Sequence, residues 1–355
     1  MTAHDPTVQP RTGPVPPSTW RPVDIDDVLA GNVEQPQPTV GHRQDGAGVL
    51  YPGRQHSVAG ESEALKTWFA LHLARQELTA GNAVCVLDFE DDEHSVTRRL
   101  LDLGATPDQL SDRFLYVRPE EPLTDRHRGT LADALTDVVP TLVVLDGVTE
   151  AMTLHGLNPL DNADVAKFGR LLPRSIADLT GAAILSLDHV TKASESRGRY
   201  AIGAAHKLNG LNGAAYVLDN RAAFGAGLTG RSTVTLVKDR PGQLRGHALP
   251  SSTGHWYADL VLESHPEGFI DSALHAPIHR DEDFTPTTLM QKVSDALAGA
   301  PEPLTQREIE ARVTGNASAK RTAIARLVDA GHITRTDGPG RSKLHTLVRP
   351  YGDTP

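Results

Sequence analysis

Gly60-Glu-Ser-Glu-Ala-Leu-Lys-Thr67 follows the phosphate-loop spacing Gly-x-x-x-x-Gly-Lys-Ser/Thr, with Leu65 standing where the second glycine belongs. In such a loop the backbone N–H groups curl around the phosphates of a nucleotide. The lysine reaches the terminal phosphates as a point charge, and the threonine hydroxyl joins the Mg²⁺ shell. Trp68 to Ala74 then show helical apolar spacing, so a helix N-terminus would face the anion. The candidate nucleotide contacts are Gly60, Glu61, Ser62, Glu63, Ala64, Leu65, Lys66, Thr67 and, at the helix start, Trp68. A leucine crowds the tight turn that glycine permits. A surface loop ending in Lys-Thr is the alternative, and the neighbouring segments count against it.

Outward from the octet, strands and helices alternate. Gln55–Ala59 reads as a short strand feeding the loop. Asn82–Phe89, Phe114–Val117, Thr141–Leu145 and Ala182–Leu187 are strands, mostly of continuous apolar character. Helical patterns lie at His94–Gly104, Thr130–Val138 and Asp161–Leu179, the last with Pro173 as an interruption. Apolar strands separated by helices imply a parallel sheet covered on both faces. After Asn212 the helices stop. Ala214–Leu218, Ala222–Phe224, Thr233–Val237 and Trp256–Leu262 read as strands with Gly-rich turns, an antiparallel addition to one sheet edge. Residues 1–20 read as a disordered tail, 21–263 as the main domain, and 264–286 as a linker rich in His, Pro and acids.

Residues 287–350 look separate. Thr288–Ala298, Thr305–Val313 and Ser318–Ala330 are helical, Thr305 and Glu308 forming a capping box. His332–Arg335 and Leu344–Val348 flank the turn Asp337-Gly338-Pro339-Gly340. Three helices then a hairpin is a winged helix-turn-helix plan. This stretch carries ten Lys/Arg against six Asp/Glu, although the whole chain has a net charge of −10. The helix with Lys320, Arg321 and Arg326 is the one that would enter a DNA groove; a protein-interaction role for this domain is the alternative.

The strand ends carry the chemistry. Thr141–Leu145 ends in Asp146, a carboxylate placed to hold Mg²⁺ with Thr67, although Asp146-Gly147 is also good turn chemistry. The strand Asn82–Phe89 runs into Glu90, Asp91 and Asp92. A hydrolysing site needs a base to polarise the attacking water; Glu90 is the candidate, with Asp91 and Asp88 as competitors. Asp92 and Glu93 suit a helix start. Ala182–Leu187 ends in Asp188-His189, and His189 could report the γ-phosphate to the following loop. That loop, 193–212, is basic and Gly/Ser-rich, with Arg197, Arg199 and Lys207, and suits a polyphosphate chain. Lys238 and Arg240, at alternate positions, could reach a neighbouring subunit's γ-phosphate; a surface pair beside the Pro241-Gly242 turn is the other reading.

The 355 residues contain no run of eighteen apolar residues and no secretory pattern, so neither a membrane span nor a signal is expected. Cys85 is the one cysteine and lies in an apolar run, which fits a buried thiol in the reducing cytoplasm.

Taken together, Gly60–Thr67, Glu90, Asp146, Asp188-His189 and Lys238-x-Arg240 resemble the RecA-like P-loop ATPase core. The resemblance is strongest to the RepA/DnaB-type hexameric helicase-like ATPases, and within these to AAA-family ATPases of actinobacterial phages and integrative elements. Leu50-Tyr51-Pro52-Gly53 through Leu71 and Val86 to Asp91 carry that likeness, which spans roughly 40–262. It implies an α/β RecA-like fold with an antiparallel extension, ATP and Mg²⁺ as cofactors, Glu90 as base, His189 as sensor and Lys238/Arg240 as trans-acting cations. It also implies a DNA-associated homo-oligomer serving replication of a mobile element. A regulator switched by ATP with weak hydrolysis, and a recombination ATPase that coats single strands, are the other readings; ring and filament stay open.

Overall fold

The computed structural model describes residues 20, 22–189, 208–266, 268–277, 287–314 and 317–351. Of the tail expected over 1–20, residues 1–19 lie outside the described residues, as do the basic residues Arg197, Arg199 and Lys207. The chain divides into two compact units, 1–276 and 277–355.

In the first unit a short helix, α1 (Asp26–Leu29), precedes a hairpin of β1 (Val40–His42) and β2 (Gly48–Leu50). Then come β3 (Gln55–Gly60), α2 (Lys66–Thr79), β4 (Val84–Asp88), α3 (Glu93–Asp102), α4 (Pro107–Arg113) and β5 (Phe114–Val117). They are followed by α5 (Asp125–Val138), β6 (Leu142–Asp146), α6 (Val148–Leu154), α7 (Asn162–Gly169), a π-helical turn at Arg170–Arg174, α8 (Ser175–Thr180) and β7 (Ala183–His189). The remaining strands are β8 (Ala214–Ala222), β9 (Thr229–Asp239), β10 (Leu249–Pro250), β11 (His255–Ser264) and β12 (Ile270–His275).

Ten of these strands form one sheet in the order β10-β11-β9-β8-β3-β7-β6-β4-β5, with β12 also paired to β11. Strands β5, β4, β6, β7, β3 and β8 are mutually parallel, and β9, β11 and β12 add antiparallel pairings. All five residues of β4 and all five of β6 are buried, as expected for strands covered on both faces. One core cluster joins α2 to the sheet through Phe69, Leu73 and Val144; the other joins α6–α8 to it through Met152, Phe168 and Ile184.

Several local expectations change. The linker expected over 264–286 instead contains β12, which pairs with β11 from Asp259 to Ser264. Its His- and acid-rich composition hides a strand because an edge strand needs only one apolar face. Ala222–Phe224 is not a separate strand; Ala222 ends β8. The helix expected over 161–179 with an interruption at Pro173 runs from Asn162 to Thr180 and carries a π turn at Arg170–Arg174, where the Pro173 ring cannot join the helical hydrogen bonding. Helix α4, with its Thr106–Gln109 capping box, and α6 were not anticipated.

The second unit contains α9 (Thr287–Ala298), β13 (Leu304–Thr305), α10 (Gln306–Arg312), α11 (Ala317–Asp329), β14 (Ile333–Asp337) and β15 (Lys343–Leu347). Thr305 and Glu308 form the expected capping box at α10. The strands pair antiparallel in the order β13-β15-β14, over a separate core that includes Val293, Ile309, Leu327 and Ile333.

Candidate functional site

The loop between β3 and α2 takes a shape that L-residues rarely adopt. Glu63 and Leu65 both have positive φ, 64° and 67°. Leu65 thus keeps the left-handed turn that glycine usually supplies, and its side chain, 7% exposed, joins the hydrophobic core. Strands β8 and β9 hold the strained loop: Asn220 Nδ2 donates to the Glu63 carbonyl and Ser232 Oγ to the Ala64 carbonyl, both at 2.9 Å. Gly60 is required by contact, since a Cβ there would lie 2.9 Å from Ala64 Cβ and from the Leu218 carbonyl. Alternating left-handed residues before a helix make a concave nest of N–H groups, and the first turn of α2 adds donors without intrahelical partners.

Lys66 is 9% exposed and donates to the carbonyls of Gly60 and Glu61 at 3.1 and 3.0 Å. Burial lowers its pKa, and the carboxylates of Asp146, Glu90 and Asp188 oppose that shift. Thr67 Oγ1 donates to Asp146 Oδ2 at 2.9 Å. Burial pushes the Asp146 carboxyl up to about 6, against the lowering effect of the Thr67 hydrogen bond. Trp68 turns away: its ring packs edge-on against Phe224 at 5.1 Å, beneath the Arg99 guanidinium, so only its backbone belongs to the phosphate-facing turn.

Three acids competed for the role of base, and the structure separates their surroundings. Asp88 is fully buried; its Oδ1 accepts from the Glu90 and Asp91 N–H groups, and its Oδ2 accepts from Tyr116. Asp91 pairs with Arg99 at 2.9 Å. Glu90 instead faces the cluster: its Oε1 lies 3.5 Å from His189 Nε2, while His189 Nδ1 lies 3.5 Å from Lys66 Nζ. Burial first, then a hydrogen bond to Glu150 and the charges of Asp146 and Glu150, push the Glu90 carboxyl up to about 8. Asp188 is buried and accepts from the His189 N–H and from Thr149 Oγ1.

Gly147 brings α6 against Glu90. It holds φ +83° at the start of α6, and a Cβ there would lie 2.7 Å from Glu90 Cγ. Glu150, in the first turn of α6, had not been singled out; a left-handed glycine directly after a strand-end aspartate was the available signal.

Lys238 and Arg240 are not brought to this cluster within one chain. Lys238 pairs across from Ala215, which lies beside Ser57, three residues before Gly60, so the pair sits at the other end of β3. Lys238 Nζ donates to the carbonyls of Leu208, Asn209 and Leu211. Within the chain its charge is engaged in capping that turn, whereas Arg240 is exposed. In the second unit, Lys320 donates to the Glu310 and Val313 carbonyls and Arg321 pairs with Glu310 at 3.1 Å. Both cations thereby knit α11 to α10. Arg326 is half-buried.

The donor set fits a hard divalent cation bound beside phosphates. Thr67 and Asp146 supply a hydroxyl and a carboxylate, the kind of pair that leaves the rest of a Mg²⁺ shell to water and phosphate oxygens. Among the described residues no larger cluster of His, Cys, Asp or Glu converges on a metal site. No helix among them is long and apolar enough to cross a membrane.

A phosphate-cradling loop on a mostly parallel sheet, with a carboxylate at the end of a neighbouring strand, defines a P-loop nucleotide-binding domain. Residues 19–195 match the family model of an AAA domain, a nucleotide-binding ATPase type. A search of curated proteins finds none that matches the chain.

Proposed function

We propose that this protein is an ATP-hydrolysing, DNA-associated ATPase of the RecA-like, helicase-like kind, acting as a homo-oligomer in replication of a phage or mobile element. The observation that supports it best is the convergence of Lys66, Thr67, Asp146, His189 and Glu90 from four separate segments onto one loop. Lys66 and the loop N–H groups bind the triphosphate, and Thr67 with Asp146 hold Mg²⁺, which neutralises phosphate charge when bound. Glu90 accepts the proton of the attacking water. Its raised pKa suits a base working near neutrality. His189, between Lys66 and Glu90, links the state of the phosphates to the chain that follows β7. Arg240, exposed, is the cation of this reading that reaches a neighbouring subunit. In the second unit, three helices and a hairpin support a winged helix as a DNA- or protein-contacting module.

The test is phosphate release by wild type and Lys66→Ala, with and without single-stranded DNA. Wild-type turnover should rise with DNA, and Lys66→Ala should lose at least about a hundredfold in rate, the scale of losing a preorganised charge at the transferred group. Equal, DNA-independent rates in both proteins would remove the proposal. Tight ATP binding without turnover in wild type would favour the reading of an ATP-switched regulator.

A further inference from the structure

On the sheet face opposite α2 lies a cavity of about 380 Å³, apart from the phosphate loop, and its composition is unusual for an α/β interior. Its floor is polar. Gln55 and Ser57 on β3 stand beside Ser186 and Asp188 on β7, with Ser57 and Ser186 directly in register. Parallel strands covered by helices are normally apolar there. Gln55 is only 7% exposed, yet its side-chain amide has no hydrogen-bond partner among the described residues. The Ser57 and Ser186 hydroxyls have none either. Ser57 and Ser186 are half-buried, and with Gln55 they open onto the cavity, where a ligand's polar atoms can meet them. Asp188 is already engaged by Thr149 and the His189 N–H.

The wall is apolar, with Met152, Val165, Phe168 and Pro173. At the rim stand Arg170 and Arg174. They bracket the π-helical turn, and such turns recur at functional sites. Lys167, one turn earlier, is exposed as they are. None of the three makes an ion pair or a side-chain hydrogen bond among the described residues, in a chain whose net charge is −10.

We infer that this cavity and its cationic rim bind single-stranded nucleic acid, one base entering the cavity while Lys167, Arg170 and Arg174 hold the flanking phosphates. The volume suits a nucleobase with part of its sugar. Phe168 and the aliphatic wall cover the faces of the base. The Gln55 amide, donor and acceptor side by side, meets the hydrogen-bonding edge that every unpaired base presents. Duplex DNA hides that edge, so the site selects single strands. Apolar stacking beside backbone cations is the general plan of sequence-tolerant single-strand binding. The inference rests on the single-strand part of the function proposed above.

The test is fluorescence anisotropy of a short fluorescein-labelled oligothymidylate, titrated against the full chain at several salt concentrations. Binding of a fluorescent ATP analogue is followed in parallel. Arg170→Ala/Arg174→Ala should weaken oligonucleotide binding about tenfold or more and flatten the salt dependence by about 0.7 in log–log slope per lost contact. Its nucleotide binding should equal wild type. Gln55→Leu should weaken the oligothymidylate but not an abasic strand of equal length. Unchanged affinity and slope in the double variant overturn the site, as do equal wild-type affinities for abasic and normal strands. Competition by polyglutamate as strong as by oligothymidylate also overturns it, in favour of an acidic polypeptide. A wild type that binds the ATP analogue but no oligonucleotide refutes this inference and leaves the nucleotide site standing.

Discussion

Leu65 shows how a residue that breaks a motif can keep the motif's shape. Holding leucine in the left-handed region costs roughly 1–2 kcal/mol, while burying its side chain contributes roughly 1.5–3 kcal/mol. Burial wins, so Leu65→Gly should lower the melting temperature by about 2–4 °C, the shift expected of ~1 kcal/mol in a domain of this size. ATP binding should be retained, because the φ +67° conformation is natural to glycine. A higher melting temperature for the variant would contradict this balance. Glu90 makes a second prediction through its carboxyl, raised to about 8 mainly by burial. A carboxylic acid whose folded pKa is raised adds stability below its unfolded pKa and loses it as pH climbs through the folded value. Stability without nucleotide should therefore decline from about pH 4.5 to 8. Glu90→Gln should flatten that decline, melting about 2 °C above wild type at pH 8.5, a modest figure because the side chain is partly exposed. It should also lose turnover while binding ATP normally. Melting curves across pH check the first point and phosphate release the second.

At the scale of elements, legibility depended on whether the pattern was local. Strands β4 and β6 are continuous apolar runs buried on both faces, and they were read within two residues of their ends. The strand β12 reads as linker in sequence because its partner, β11, is what makes it a strand. The same holds for Lys238. Its sequence neighbours point to a surface cation, yet three carbonyls of the turn at 208–211 converge on its ammonium from 27 to 30 residues away. Lys238→Ala should therefore release that turn: amide exchange at Leu208–Leu211 should quicken markedly while α2 stays as protected as in wild type. Hydrogen-exchange mass spectrometry reads both segments at once, and unchanged protection at 208–211 would refute the tether.

For the whole molecule, the two units have separate cores, one set built on Phe69, Val144 and Ile184 and the other on Val293, Ile309 and Leu327. A core that is complete within its own segment needs nothing from the rest of the chain. Residues 1–276 expressed alone should unfold in one cooperative transition and bind an ATP analogue with the affinity of the full chain. Circular dichroism and fluorescence titration measure the two. A shortened chain that is unfolded, or that has lost nucleotide affinity, would show that the second unit completes the first.

The amino-acid order by itself determined the phosphate loop, the apolar strands and the acidic strand ends, because each is written in neighbouring residues with a fixed period or spacing. It put Glu90 ahead of Asp91 and Asp88 as the base, without their surroundings. Only the folded chain separated them: one carboxylate closes a turn, one pairs with Arg99, and the third lies against His189 and the first turn of α6. The polar floor under Gln55 and the cations at 167–174 were likewise invisible in one dimension. They come together only when β3, more than a hundred residues upstream, is folded beside β7 and the π turn. Burial and desolvation depend on that juxtaposition, and no local pattern encodes them.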